Sequence, residues 1–149
     1  MSNNRFLMAV DKTAASQREF QYVGEMIRGR EDIKIFLLHV FPSPPPDYYT
    51  QGGNQEDYIQ EYEEQAAVIF KECSTSLSKF INVQQISTES VMAEGKSLSD
   101  VILAKQKECE CDTVVLGKRG ISKAEEFLFG SVSNAVVRAS HDFTVWVVS

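Results

Sequence analysis

The chain has 149 residues, 43% of them apolar and 24% charged, which suits one soluble domain spanning residues 1–149 that buries its core without disulfides or a structural metal. Its formal net charge of -6 works against general binding of nucleic acid or an anionic membrane surface, because the summed field repels polyanions. Nowhere do about 18 apolar residues run consecutively, and Met1–Val10 lacks a charged segment followed by a long apolar run, so no membrane association and a cytoplasmic location are expected.

Arg5–Val10 (RFLMAV) is a compact apolar run ending at Asp11 and predicts a strand covered on both faces, where simple alternation is lost. Thr13 is placed to cap a helix through Phe20, Val23, Met26 and Ile27, whose spacing is helical. Ile33–Val40 (IKIFLLHV) repeats the strand signature; His39 within it reads as a satisfied core histidine. Pro42-Ser-Pro-Pro-Pro46 and the segment up to Gly52-Gly53 predict a long surface excursion, stiff at its start and loose at its end. Glu56 to Phe80 reads as a long helix with Tyr58, Ile59, Tyr62, Ala66, Ile69, Phe70, Cys73, Leu77 and Phe80 along one broad face.

Ile86–Val91 is a more polar strand, expected at a sheet edge. Ser97 caps a third helix, with Asp100 three residues on and Val101, Ile102 and Ala104 behind it. Thr113–Leu116 and Thr144–Val148 complete the strands, and between them Ser131 opens a helix with Val132, Ala135, Val136 and Ala139 on one side. Strand and helix therefore alternate, which predicts an α/β fold with a parallel sheet and right-handed crossovers.

Few residues offer chemistry. Cys73, Cys109 and Cys111 are odd in number and make no disulfide framework; Cys109-Glu-Cys111 lacks a four-ligand metal set and reads as free thiols at a helix end. Gly95-Lys96-Ser97 resembles the end of a P-loop, but Ser90 stands where that motif needs glycine, so it reads as a turn and helix cap. The turn after the first strand, Asp11-Lys-Thr-Ala-Ala-Ser16, has no glycine, which removes the dinucleotide fingerprint. His141-Asp142 has no serine on a nucleophile elbow to serve, and Glu125-Glu126 reads as solvated surface. Tyr48 and Tyr49 are suited either to covering a bound base or to a dimer contact.

One stretch, GKRGISKAEEFLFGSVS over residues 117–133, carries more. Gly117 follows a buried strand at a carboxyl end, where open α/β sheets place ligands, and Gly117 and Gly120 allow sharp turns and close backbone approach. Gly130 and Ser131 open a helix whose unpaired N–H groups and positive dipole end suit an anion, with Ser133 offering a second hydroxyl. The spacing Gly117-x2-Gly120-x9-Gly130-Ser131 resembles the G-2x-G-9x-G-[ST] signature of the ATP-binding universal stress proteins. The likeness covers nearly the whole chain: Val10-Asp11 and Val40 at the first two strand ends, the Gly95 turn, Asp112-Thr-Val-Val-Leu-Gly117, and Gly130-Ser-Val-Ser133.

That resemblance implies five parallel strands in the order 3-2-1-4-5 with helices on both faces, adenine nucleotide alpha hydrolase-like, and an adenine nucleotide where strands 1 and 4 diverge. It implies that Ala9 and Val10 line the base, Asp11 bonds the ribose or adenine side, and the Val40 backbone meets the adenine edge. Leu116, Gly117, Arg119 and Gly120 would flank ribose and phosphates, and Gly130, Ser131, Val132 and Ser133 would hold the phosphate chain. Lys118 and Arg119 suit phosphate charge as well as solvent. Lys12 stands where the family often has glycine, and Phe143-Thr144 where it often has Cys-Pro. The implied ligand is ATP, with Mg²⁺ where ATP is bound, or AMP derived from it. The implied role is a stress-related sensor or regulatory module, phosphate contacts fixing the 117–131 loop and altering a surface that a partner recognises. A homodimer is implied through the Thr144–Val148 edge, which contains Trp146. Two other readings stay open: a slow ATP hydrolase or phosphotransferase, for which carboxylates such as Asp11 are present without a recognisable Mg-binding constellation, and a partner-binding module with no nucleotide.

Overall fold

The computed structural model describes residues 4–11, 15–117 and 131–148. In chain order the elements are β1 (Arg5–Ala9), α1 (Ala15–Ile27), β2 (Lys34–Phe41), α2 (Pro46–Thr50), α3 (Gln55–Leu77), a short 3₁₀ turn (Val83–Gln85), β3 (Ile86–Met92), α4 (Leu98–Cys109), β4 (Thr113–Gly117), α5 (Ser131–Ala139) and β5 (Thr144–Val148). The strands form one sheet in the order β3-β2-β1-β4-β5, every neighbouring pair parallel, as the resemblance implied.

The run-like strands follow from burial on both faces. Phe6, Met8, Val10, Ile35, Leu37 and Val115 meet Phe20, Val23 and Ile27 of α1 and Ile69, Cys73 and Leu77 of α3. On the opposite face Leu7, Leu38, Val114 and Leu116 meet Ile102 of α4 and Val136 of α5. Each such side chain contributes about 1.5–3 kcal/mol through its removal from water. β3, the more polar strand, does lie at an edge, with Ser87, Thr88 and Glu89 exposed.

Asp112 ties the amino-terminal ends of the strands together. Its carboxylate accepts hydrogen bonds from the N–H groups of Asn4 (2.8 Å) and Arg5 (2.9 Å) and from the Thr113 hydroxyl (2.9 Å). Its own N–H donates to the Arg5 carbonyl, and its carbonyl accepts from Thr144. β1, β4 and β5 are thereby aligned from one residue.

The expected long excursion after β2 contains a short helix. Pro46 opens α2, where a missing N–H costs nothing, and Asn54 caps α3 by accepting from the Asp57 N–H at 2.9 Å. Tyr48 donates to the Asn54 carbonyl and packs edge-on against Tyr58, whose hydroxyl donates to the Pro42 carbonyl at 2.5 Å. Burial pushes the Tyr58 hydroxyl up to about 12. Phe41 stacks on Tyr62 at 5.0 Å, so this aromatic group clamps the proline segment onto α3. The chain then reverses at Ala93–Lys96 through Glu94 (φ 52°) and Gly95 (φ 80°), and Ser97 accepts from the Asp100 N–H at 3.2 Å. The Gly-Lys-Ser sequence is a turn and cap.

Two side chains make tests of this packing. A Cβ on Gly24 in α1 would lie 2.1 Å from the Phe80 ring, beneath which the helix passes. Replacing a mid-helix glycine by alanine ordinarily stabilises by about 0.5–1 kcal/mol. Gly24→Ala is expected instead to destabilise by about 1–3 kcal/mol in urea unfolding, and to become stabilising when Phe80 is also replaced by Ala. The second is Glu19, 3% exposed among the apolar residues of α1, whose carboxyl is pushed by burial from the ordinary 4.5 to about 8. Between those values the folded state keeps a proton that the unfolded chain has released, so stability falls as pH rises across that window. We expect a slope of up to about 1.4 kcal/mol per pH unit relative to Glu19→Gln, vanishing above pH ~8 where both states are ionised, measured by chemical unfolding.

Candidate functional site

β1 and β4 are neighbours only part of the way. Their pairing runs from Phe6↔Thr113 to Met8↔Val115. Beyond that point β1 stays with β2, through Ala9↔Leu38 and a 2.8 Å hydrogen bond from the Val10 N–H to the Leu38 carbonyl. β4 stays with β5, through Leu116↔Val147 and Gly117↔Val148. The two central strands therefore part at their carboxyl ends, the position where an open α/β sheet leaves a crevice.

Both halves of the predicted residue set come to this opening. Ala9 closes β1, Val10 is buried behind it, and Asp11 is half-exposed immediately after. Val40 lies near the end of β2, paired with Val91. Leu116 and Gly117 close β4. α5 begins at Ser131, exposed, followed by half-buried Val132 and buried Ser133. Ala9, Val40 and Val132 pack against the same apolar cluster that holds Leu116, so four of the residues share one side of the sheet end, and the α5 amino terminus is at that end. Arg119, Gly120 and Gly130, with Lys12, Thr13, Lys118, Glu125 and Glu126, lie outside the described residues.

Gly117 is the last paired residue of β4, and its backbone is not left-handed. A Cβ there would meet Glu19 Oε2 at 3.2 Å. The absent side chain makes room for the carboxyl of α1. Glu19 is the residue that the reading by motif missed. Its signal was present: Glu19, Val23 and Ile27 are four apart, which puts an acid on the apolar stripe of a helix.

His39 supports the same region from below. Its Nδ1–H donates to the Val10 carbonyl at 3.0 Å, an atom that only accepts, which fixes the tautomer and the β1 exit. The reading of a satisfied core histidine holds. His141 and Asp142 precede β5 and belong to the amino-terminal edge of the sheet, the wrong end for this site. Cys109 ends α4 and Cys111 is buried after it, both free, with burial pushing the Cys111 thiol up to about 12 and the Cys109 thiol upward. Among the described residues no three His, Cys, Asp or Glu side chains gather as a metal site, and no helix is long and apolar enough to cross a membrane.

Solved structures share this architecture. UspA from Lactobacillus plantarum is 18% identical, with a TM-score of 0.75 over 100% of this chain and 99% of that one. The universal stress protein from Archaeoglobus fulgidus in complex with dAMP is 20% identical, with a TM-score of 0.62 over 100% of both chains. A universal stress protein in complex with cAMP is 18% identical, with a TM-score of 0.72 over 99% of both. No curated protein matches by sequence. The model of the Universal stress protein family matches residues 2–149, and with that match over the sheet and its crevice the chain belongs to the universal stress protein family.

Proposed function

We propose that the chain binds an adenine nucleotide, ATP with Mg²⁺ or AMP derived from it, and acts as a sensor or regulatory module. The observation that carries this reading is the parting of β1 and β4 after Met8↔Val115, with the α5 amino terminus at the same end. The glycine spacing from Gly117 to Ser131 supports it, as do the family members solved with dAMP and cAMP. In this reading Ala9 and Val10 line the base, the Val40 backbone meets its edge, and Asp11 accepts from the ribose. Leu116, Gly117, Arg119 and Gly120 flank ribose and phosphates, while Gly130, Ser131, Val132 and Ser133 receive the phosphate chain through N–H groups, hydroxyls and the helix dipole. A partner reads occupancy through the segment between Gly117 and Ser131.

A homodimer through β5 belongs to the same reading. β5 ends the sheet, and Val147 on it and Tyr22 and Met26 on adjacent α1 are exposed apolar side chains. An edge of this kind favours pairing with a second copy.

Mass spectrometry of the supernatant from denatured purified protein is expected to find an adenine nucleotide; its absence together with no calorimetric ATP binding would favour the module without nucleotide. Asp11→Ala is expected to weaken ATP binding about tenfold or more and Ser131→Ala about fivefold in calorimetric titration, the worth of a charged and a neutral hydrogen bond. Steady ADP release that Asp11→Ala abolishes would favour the hydrolase instead. For the dimer, Val147→Arg is expected to raise the dissociation constant at least about tenfold in sedimentation equilibrium, since the interface would bury an unpaired charge.

A further inference from the structure

We propose that Glu19 links occupancy of the β1–β4 crevice to a proton: the site holds a phosphate-bearing ligand while this carboxyl is neutral and loses affinity when it ionises. The inference rests on the nucleotide reading above and adds its regulation.

Geometry carries it. Glu19 is 3% exposed, yet it belongs to the helix that packs under the strand ends forming the crevice. One carboxyl oxygen sits 3.2 Å from the point where Gly117 would carry a Cβ, so it abuts the last residue of β4. The other, Oε1, meets no hydrogen-bond partner among the described residues. A carboxylate buried this way ordinarily recruits a cation or several N–H donors. Here burial holds the group as the neutral acid up to about pH 8.

The surroundings supply no counterion among the described residues. From α3 the Cys73 thiol faces it, pushed up to about 12 by burial and then by Glu19 itself and by Glu72, so it too is neutral. His39, the titratable side chain of β2 on this face of the sheet, is committed to the Val10 carbonyl. The residues of β1, β4 and β5 on this face, Met8, Val10, Val115, Trp146 and Val148, carry no charge, and Arg18 beside Glu19 on α1 is exposed. Asp11 follows β1 at the crevice, and Lys118 and Arg119 follow Gly117 outside the described residues.

Ionisation therefore adds one negative charge against Gly117, the end of β4 that in the nucleotide reading flanks ribose and phosphates. A polyanion and a carboxylate there oppose each other, and by reciprocity a bound polyphosphate holds the proton on Glu19. The penalty grows with ligand charge, largest for ATP, smaller for AMP, and absent for adenosine.

The test is calorimetric titration of ATP, AMP and adenosine at pH 7.5 and 9.5 with the full chain and with Glu19→Gln, which keeps the shape and removes the ionisation. ATP affinity of the unsubstituted protein is expected to fall about tenfold between the two pH values and AMP affinity about threefold, with adenosine unchanged and all three within about twofold in the variant. A pH dependence equal in both proteins, or none in either, overturns the proposal and leaves nucleotide binding standing. No binding of any of the three at either pH overturns both. Should the variant fail to fold, ¹³C titration of the Glu19 carboxyl in the unsubstituted protein decides: its midpoint is expected to rise by about one pH unit with saturating ATP, and an unmoved midpoint overturns the proposal.

Discussion

The Asp112 carboxylate sets the register on which the rest depends. By accepting the N–H groups of Asn4 and Arg5 it holds the start of β1 against the start of β4, a charge-assisted contact across more than a hundred residues of chain. With the amino-terminal ends pinned, the carboxyl ends part where each central strand keeps its outer neighbour. The sheet is closed at one end and open at the other, and the α5 amino terminus and the Asp11 exit both fall at the open end.

The two faces of the sheet are chemically unequal. The α4–α5 face is built from aliphatic, aromatic and cysteine side chains together with buried Lys105, which pairs with Glu89 and Glu108, and half-buried Ala9, Val40 and Val132 complete it toward the opening. The α1–α3 face holds Glu19, His39 and Cys73 as well as its hydrocarbon. The apolar residues at the opening on one side and the buried Glu19 carboxyl on the other give any occupant of the crevice two different neighbours: a surface that selects by shape, and one that responds to charge.

Much of this was legible in the residues. RFLMAV and IKIFLLHV read as strands because both faces are covered, and the polar ISTESV run read as an edge because β3 is the outermost strand, with Ser87, Thr88 and Glu89 exposed in succession. Strand order was not legible from periodicity; alternation gives a parallel sheet in several orders, and only the resemblance selected one. α2 escaped because its five residues are too few for a period and three of the four prolines before Asp47 mask a first helical turn. The contact of Gly117 with Glu19 was not legible, since the two are 98 positions apart (117 − 19) and local spacing is silent about such a contact.

Trp146 gives the molecule an optical property. It is the only tryptophan, and its ring meets Phe6 edge-on at 5.2 Å and Tyr22 at 6.0 Å. The indole thus stands between the first strand, the first helix and the outer edge of β5. Its emission reports the polarity of that edge without a label, while Tyr22 is near enough to feed it excitation energy. The chain carries its own dye at the rim of the sheet, in contact with the helix that holds Glu19.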